Sequence, residues 1–120
     1  LFILTGFQEN IKSFYPIIDV FFLPSLYEGL PMVLLEAMAF NIPVVSMDVG
    51  SISELIHEGE TGYLINKGNY HDFVIKLNEL KSNEKLMKKL GKSAFEHINK
   101  NYNIEVYSKS IENIYTRLIK

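Results

Sequence analysis

Apolar runs of strand length alternate with helix-like segments across the first two-thirds of the chain. Phe2–Thr5 reads as a short strand ending at Gly6, and Gln8–Ile18 as a helix broken or bent near Pro16, which lacks an N–H. Val20–Leu23 is apolar without polar alternation, as a central parallel strand covered on both faces requires. Pro24–Leu30 is a loop. Pro31 suits the first position of a helix running to about Phe40, and Asn41 can take the left-handed cap that Gly usually supplies. Pro43–Met47 is another apolar strand. Ser51-Ile52-Ser53-Glu54 has the spacing of a capping box opening a short helix to about His57. Gly59 and Gly62 bracket a turn before a last strand, Tyr63–Ile65. Strand and helix alternating at this spacing predict a parallel sheet with right-handed crossovers.

After Gly68 the pattern is helical to the end. Asn69 with Asp72 caps a helix to about Leu80, and Ser82 starts a second that holds Leu86, Leu90, Ala94, Phe95 and Ile98. Ile104, Tyr107, Ile111, Ile114 and Leu118 recur every three or four residues, which predicts a third, amphipathic helix. Tyr102, Tyr107 and Tyr115 read as packing against the sheet. The fold class is α/β: a Rossmann-like, doubly wound parallel sheet over 1–68, followed by a helical tail over 69–120.

Composition narrows the class. With 120 residues, 48% of them apolar, the chain is of single-domain size and too apolar to remain disordered. Its longest greasy stretches, Pro16–Leu26 and Leu30–Phe40, are interrupted by Asp19 and Glu36 and fall short of the ~20 residues a bilayer requires. The absence of Cys excludes a disulfide scaffold and a thiolate zinc site, and fits a reducing cytosol. No charged segment precedes the apolar start, so no signal peptide is read. Leu1 is not an initiator Met, and the chain is expected to be a piece of a longer one.

Charge is unevenly placed, at −7 over residues 1–80 and +5 over 81–120. The Lys81–Lys92 cluster reads as a solvated helix face, with a membrane-surface or other anionic contact as the alternative. Nucleic acid is not an expected partner, because the net charge is −2 and Arg117 is the only arginine.

In an open parallel sheet, ligands bind beyond the carboxyl ends of the strands. That directs attention to Gly6–Phe7, Pro24–Leu30 and Met47–Ser51. The middle loop delivers Glu28, Gly29 and Leu30 onto a helix N-terminus, where free amides and the helix dipole favour an anion. Glu28 alone could equally complement that dipole. From Pro31 to Phe40 every residue but Glu36 is apolar, so this helix is expected to be buried nearly all round. A carboxylate there needs a partner, and no Arg or Lys lies within a turn. Distant backbone amides or a pair of ligand hydroxyls would each serve.

The segment Phe22–Ile65 closely resembles the nucleotide-binding domain of the family-4 retaining glycosyltransferases. The residues that carry the resemblance are Pro24, Ser25, Glu28, Gly29, Pro31, Glu36, Ala37, Ala39, Pro43, Val44, Gly50, Glu54, Gly59 and Gly62, with Glu36 eight positions after Glu28. Asn41 and Ser51 stand where that family usually has Gly; Ser51 bears on how closely its loop can approach a donor sugar. The resemblance extends more weakly over Phe2–Leu23 and the final helices. It implies the C-terminal, donor-binding half of a two-domain GT-B fold, in an enzyme that would move a hexosyl-type sugar from a nucleotide-diphosphate sugar to an acceptor with retention of configuration. The sugar or lipid-linked acceptor would sit mostly on an N-terminal domain not in these residues.

By the same resemblance, Glu28 would contact the donor sugar beside the scissile bond, and the amides of Gly29 and Leu30 would hold the leaving diphosphate. Glu36 would accept two ribose hydroxyls, while Ser25, Gly50 and Ser51 would line the donor. A front-face reaction without a covalent intermediate is implied. The Arg and Lys that clamp the diphosphate in that family lie upstream of Leu1, and Lys12 is misplaced to replace them. No Asp-x-Asp occurs around Asp19, Asp48 or Asp72, so neither metal nor other cofactor is expected. A partial centre of this kind should be inactive alone. Lys, Asn and Ile abundance suits an AT-rich bacterial genome and a surface-polysaccharide or glycolipid pathway. The expected location is the cytoplasm, at the inner membrane face if the basic helix makes contact. The alternatives are a nucleotide-sugar epimerase of the same fold and a non-enzymatic doubly wound module. A receiver would need an acidic pair and a strand-end Lys beside Asp48. A phosphorylase would need a pyridoxal-binding Lys, and none occurs between Lys12 and Lys67.

Overall fold

A computed structural model describes residues 2–119. Three parallel strands, β1 (Phe21–Leu23), β2 (Val44–Asp48) and β3 (Gly62–Asn66), form one sheet in the order β1-β2-β3. Phe21 lies opposite Val44, and Val44 opposite Gly62. Helix α1 (Met32–Ala39) connects β1 to β2, and α2 (Ile52–Leu55) connects β2 to β3. Helices α3 (Tyr70–Ser82), α4 (Glu84–Asn101) and α5 (Ile104–Leu118) follow.

Burial of β2 shows how the layers are built. Successive strand residues point to opposite faces, yet Val44, Val45, Ser46 and Met47 are all fully buried, so both faces are covered at β2. Strand β1, expected as a central strand covered on both faces, instead lies at the sheet edge with Phe22 50% exposed. Leu34, Ala37 and Met38 of α1, Ile52 and Leu55 of α2, and Leu90, Ala94 and Ile98 of α4 complete the core. Each fully buried aliphatic side chain contributes about 1.5–3 kcal/mol.

The end of α1 closes as its sequence predicts. Asn41 takes φ 59°, the Asn41 N–H donates to the Met38 carbonyl, and the Ile42 N–H donates to the Ala37 carbonyl, each at 3.1 Å. This paired arrangement satisfies carbonyls that the helix leaves open and turns the chain into β2. Gly91 of α4 packs on that same turn. A Cβ added there would lie 2.0 Å from the Asn41 carbonyl oxygen, so the absence of a side chain sets the α1–α4 approach.

Several sequence expectations are corrected. Phe2–Thr5 forms no strand: Phe2 and Leu4 are 95% and 96% exposed, and no strand among the described residues pairs with them. A strand requires a ladder partner, and β1 pairs with β2 instead. The predicted helix over Gln8–Ile18 is two single 3₁₀ turns, Ile11–Ser13 and Tyr15–Ile17, with Pro16 in the second. Pro31 is the cap of α1 rather than its first residue, so the helix starts one position later than predicted, at Met32, and α1 is buried on one face only, leaving Met32, Val33 and Ala39 exposed. Ser51 makes no side-chain cap bond, so the predicted capping box does not form. Its φ, ψ of −97°, 19° lies outside the extended region from which a cap side chain reaches back. Helix α3 includes Ser82, and Asn83 rather than Ser82 caps α4, its side chain accepting the Leu86 N–H at 3.0 Å. Of the three tyrosines read as packing, Tyr102 reaches the sheet unit through its hydroxyl, which donates to the Glu54 carbonyl at 2.9 Å. Tyr107 and Tyr115 are exposed on α5, which buries none of its residues.

Candidate functional site

Two loops leave the carboxyl ends of β1 and β2, and they meet. The Ser51 N–H donates to the Gly29 carbonyl at 3.2 Å. Gly50, at φ 58°, presses so close that a Cβ there would stand 2.0 Å from the Glu28 carbonyl oxygen and 2.9 Å from that of Gly29. Only Gly fits this contact, because an L side chain meets both an unfavourable φ and two carbonyl oxygens. Glu28, Gly29, Gly50 and Ser51 are thereby brought together at the mouth of the sheet. Ser25 and Glu28 are half-buried, while Gly29, Leu30 and Gly50 are exposed.

The segment after Gly29 runs through Leu30 into the Pro31 cap, whose carbonyl accepts the Leu34 N–H at 3.1 Å. Among the described residues, the Gly29 and Leu30 N–H groups donate to no protein acceptor. Pro31 has no N–H and cannot compete with them. The loop therefore offers open donors at the positive end of α1, directly after Glu28 in the chain.

Glu36 has a partner that sequence reading missed. The Tyr15 hydroxyl donates to Glu36 Oε2 at 2.6 Å. Tyr15 is 2% exposed and stacks on Phe40 with ring centroids 5.0 Å apart. Burial, then the hydrogen bond and charge of Glu36, push the Tyr15 hydroxyl up to about 12, so it remains a donor at any working pH. Neither distant amides nor a ligand is needed to hold the Glu36 carboxylate, although one oxygen takes no part in that bond. The apolar context of Glu36 signals that a partner must exist, but Tyr15 lies 21 residues away and nothing local names it.

A second missed residue is Lys67, just beyond β3. Its Nζ stands 3.8 Å from the ring centroid of Tyr27, the residue before Glu28. This contact places a cation against the Pro24–Leu30 loop, which carries none of its own. Among the described residues, no group of three or more His, Asp or Glu side chains is arranged to hold a metal ion.

Comparison with known proteins covers most of the chain. Residues 2–97 match the family model described as glycosyl transferases group 1. The N-acetyl-alpha-D-glucosaminyl L-malate synthase of Bacillus anthracis is 31% identical over 115 residues, covering 96% of this chain and 30% of that protein. The lipopolysaccharide core biosynthesis mannosyltransferase LpsB of Rhizobium meliloti is 30% identical over 120 residues, covering 98% of this chain and 34% of the relative. Among solved structures, TarM of S. aureus superposes with TM-score 0.87 at 29% identity, covering 94% of this chain and 23% of that one. The C-terminal domain of a glycosyl transferase group 1 family protein from Francisella tularensis superposes with TM-score 0.74 at 29% identity, covering 87% and 53%. The chain thus spans about a third, or less, of the length of the curated relatives it matches.

Proposed function

The chain belongs to the group 1 glycosyltransferases, and from that premise we propose that it is the donor-binding part of a retaining, family-4 enzyme with a nucleotide-diphosphate sugar as donor. Residues 1–120 would belong to its C-terminal domain, with the sheet and crossover helices over 1–68 and the helical part over 69–120. The acceptor, a sugar or lipid-linked saccharide, would bind mainly to a domain outside these residues. Polysaccharide or glycolipid synthesis is the pathway class, in keeping with LpsB and with the capsular polysaccharide glycosyltransferase CapM among the relatives.

One observation carries this reading. The Gly29–Ser51 backbone bond and the Gly50 contact join the loop bearing Glu28 to the loop after β2, at the end of the sheet where ligands bind. In the proposed mechanism the sugar lies against Glu28, and the open amides of Gly29 and Leu30 receive the diphosphate as its charge develops on departure. Ser25, Gly50 and Ser51 line the donor, and the Glu36 carboxylate accepts the ribose hydroxyls. The solved TarM complex contains UDP, which supports a nucleoside diphosphate in the same fold. No metal takes part in the proposed chemistry.

We further place the protein on the cytoplasmic side of a membrane. No helix among the described residues is long and apolar enough to cross one. The exposed Lys85, Lys88, Lys89 and Lys92 of α4 give a basic face for peripheral contact with anionic lipid.

The reaction outcome tests the proposal. The full-length protein, supplied with a nucleotide sugar and acceptor, should form a product whose anomeric configuration by NMR matches the donor, with a rate unchanged by chelator. An inverted product, or a rate abolished by chelator and restored by a divalent ion, contradicts it.

A further inference from the structure

We propose that Tyr15 is a positioning residue that presets Glu36 for a vicinal ribose diol and so favours ribonucleotide over 2′-deoxyribonucleotide donors. This rests on the reading of Glu36 as the ribose acceptor.

Geometry supports it from both ends. Tyr15 sits in the 3₁₀ turn Tyr15–Ile17, which leads towards β1, and Glu36 is in the middle of α1. The 2.6 Å bond between them crosses from one segment to the other. The Tyr15 ring is buried and braced on Phe40, the capping residue of the same helix that carries Glu36. Hydroxyl and carboxylate are therefore held by one rigid unit. A short O–H···O⁻ bond is charge-assisted and about twice as strong as a neutral one.

Chemistry gives the consequence. An ionised carboxylate accepts through about four lone-pair sites, and Tyr15 takes one of those on Oε2. The rest remain for a pair of adjacent hydroxyls, and both must meet a carboxylate whose plane is already set. An unanchored glutamate would lose rotamer freedom on binding, an entropic cost. With Oε2 anchored, that cost is met in folding instead. Because the Tyr15 hydroxyl stays protonated, it remains a donor to Glu36 Oε2 throughout the working pH range.

The test is a double-mutant cycle read by calorimetry on the full-length protein, with UDP, GDP and ADP and their 2′-deoxy counterparts as probes. Wild type should bind at least one ribonucleoside diphosphate and prefer it to its 2′-deoxy form by roughly 10-fold or more. Tyr15→Phe keeps the ring on Phe40 and removes only the hydroxyl. It should weaken ribonucleotide binding by roughly 3–10-fold, leave 2′-deoxy binding within about twofold, and raise KM more than it lowers kcat. In a Glu36→Ala background, Tyr15→Phe should change affinity by less than about twofold, since its target is gone. Thermal melts of each variant establish that it is folded. Equal losses for both sugars, or the same loss with and without Glu36, would make Tyr15 a structural residue and overturn the inference. A Glu36→Ala protein that binds and discriminates like wild type would instead overturn the ribose reading on which it rests.

Discussion

The Ser51 amide donates to the Gly29 carbonyl oxygen at 3.2 Å, tying the loop after β2 to the loop that carries Glu28. Ser51 adopts φ, ψ of −97°, 19° and makes no side-chain bond to α2, while its backbone N–H is committed to the neighbouring loop. The position that most resembles a local helix signal is thus used for a contact between loops.

Gly50→Ala follows directly. Its Cβ would fall 2.0 Å from the Glu28 carbonyl oxygen, so the Pro24–Leu30 loop must move. Left-handed backbone at a non-glycine residue adds about 1–3 kcal/mol of strain. The variant should melt lower than wild type and lose turnover by roughly 100-fold, since small misplacements of reacting groups are that costly. Steady-state kinetics and a thermal melt check both; wild-type turnover would show that the loop contact does not position the chemistry.

Glu28 and Glu36 should fail differently. Glu28→Gln faces the reacting sugar in the proposed mechanism and should lower kcat strongly with little change in nucleotide affinity. Glu36→Ala removes the ribose partner and should weaken nucleotide binding by about 1–3 kcal/mol. Measuring kcat alongside nucleotide Kd separates them. Equal loss of affinity in both, with unchanged turnover, contradicts the assigned roles.

His97 gives a pH dependence with a definite sign. Its ring packs edge-on to His57 at 4.5 Å and beside Tyr102 at 5.7 Å, with Nε2 buried and unpartnered among the described residues. Burial first, and the neighbouring His57 second, hold its pKa below the usual histidine value. The unfolded state therefore binds this proton more readily. The stability that His97 contributes is fully present above about pH 6.5 and is lost as pH falls through the depressed folded value. Melting temperature should fall between pH 7.5 and 5, and His97→Gln should fall less over the same interval. An equal fall in both would remove His97 from the acid response.

Helix α5 should be dispensable for the fold of the rest. It buries none of its residues, and the tie from Tyr102 to Glu54 precedes it. A chain ending at Tyr102 should melt within about 3 °C of the 120-residue chain, because little apolar area is lost. Loss of cooperative melting would show otherwise.

What was legible in the sequence divides along physical lines. Strands β1 to β3, helix α1 and the Asn41 cap could be read because each is set by local pattern: apolar runs, a proline, and a residue able to take positive φ. Phe2–Thr5 misled because an apolar run states what a strand would bury but not whether another strand lies beside it. The outer face of α1 misled for a similar reason, as apolar Met32 and Val33 are exposed. For the candidate site, the loops and Glu36 were visible from their neighbours. Tyr15 and Lys67 were not, because each acts through a contact that exists only after folding.

The central claim is that donor nucleotide is held where the 24–30 and 48–51 loops meet at α1. Titrating the isotopically labelled 120-residue chain with nucleoside diphosphate, followed by NMR, addresses it most directly. The account predicts weak, roughly millimolar binding, because the Gly29 and Leu30 amides and Glu36 are the only polar contacts to the nucleotide that it assigns at the loop junction, with shifts concentrated in residues 28–36 and 48–54. Shifts clustered on the basic Lys81–Lys92 segment, or micromolar binding, would contradict it.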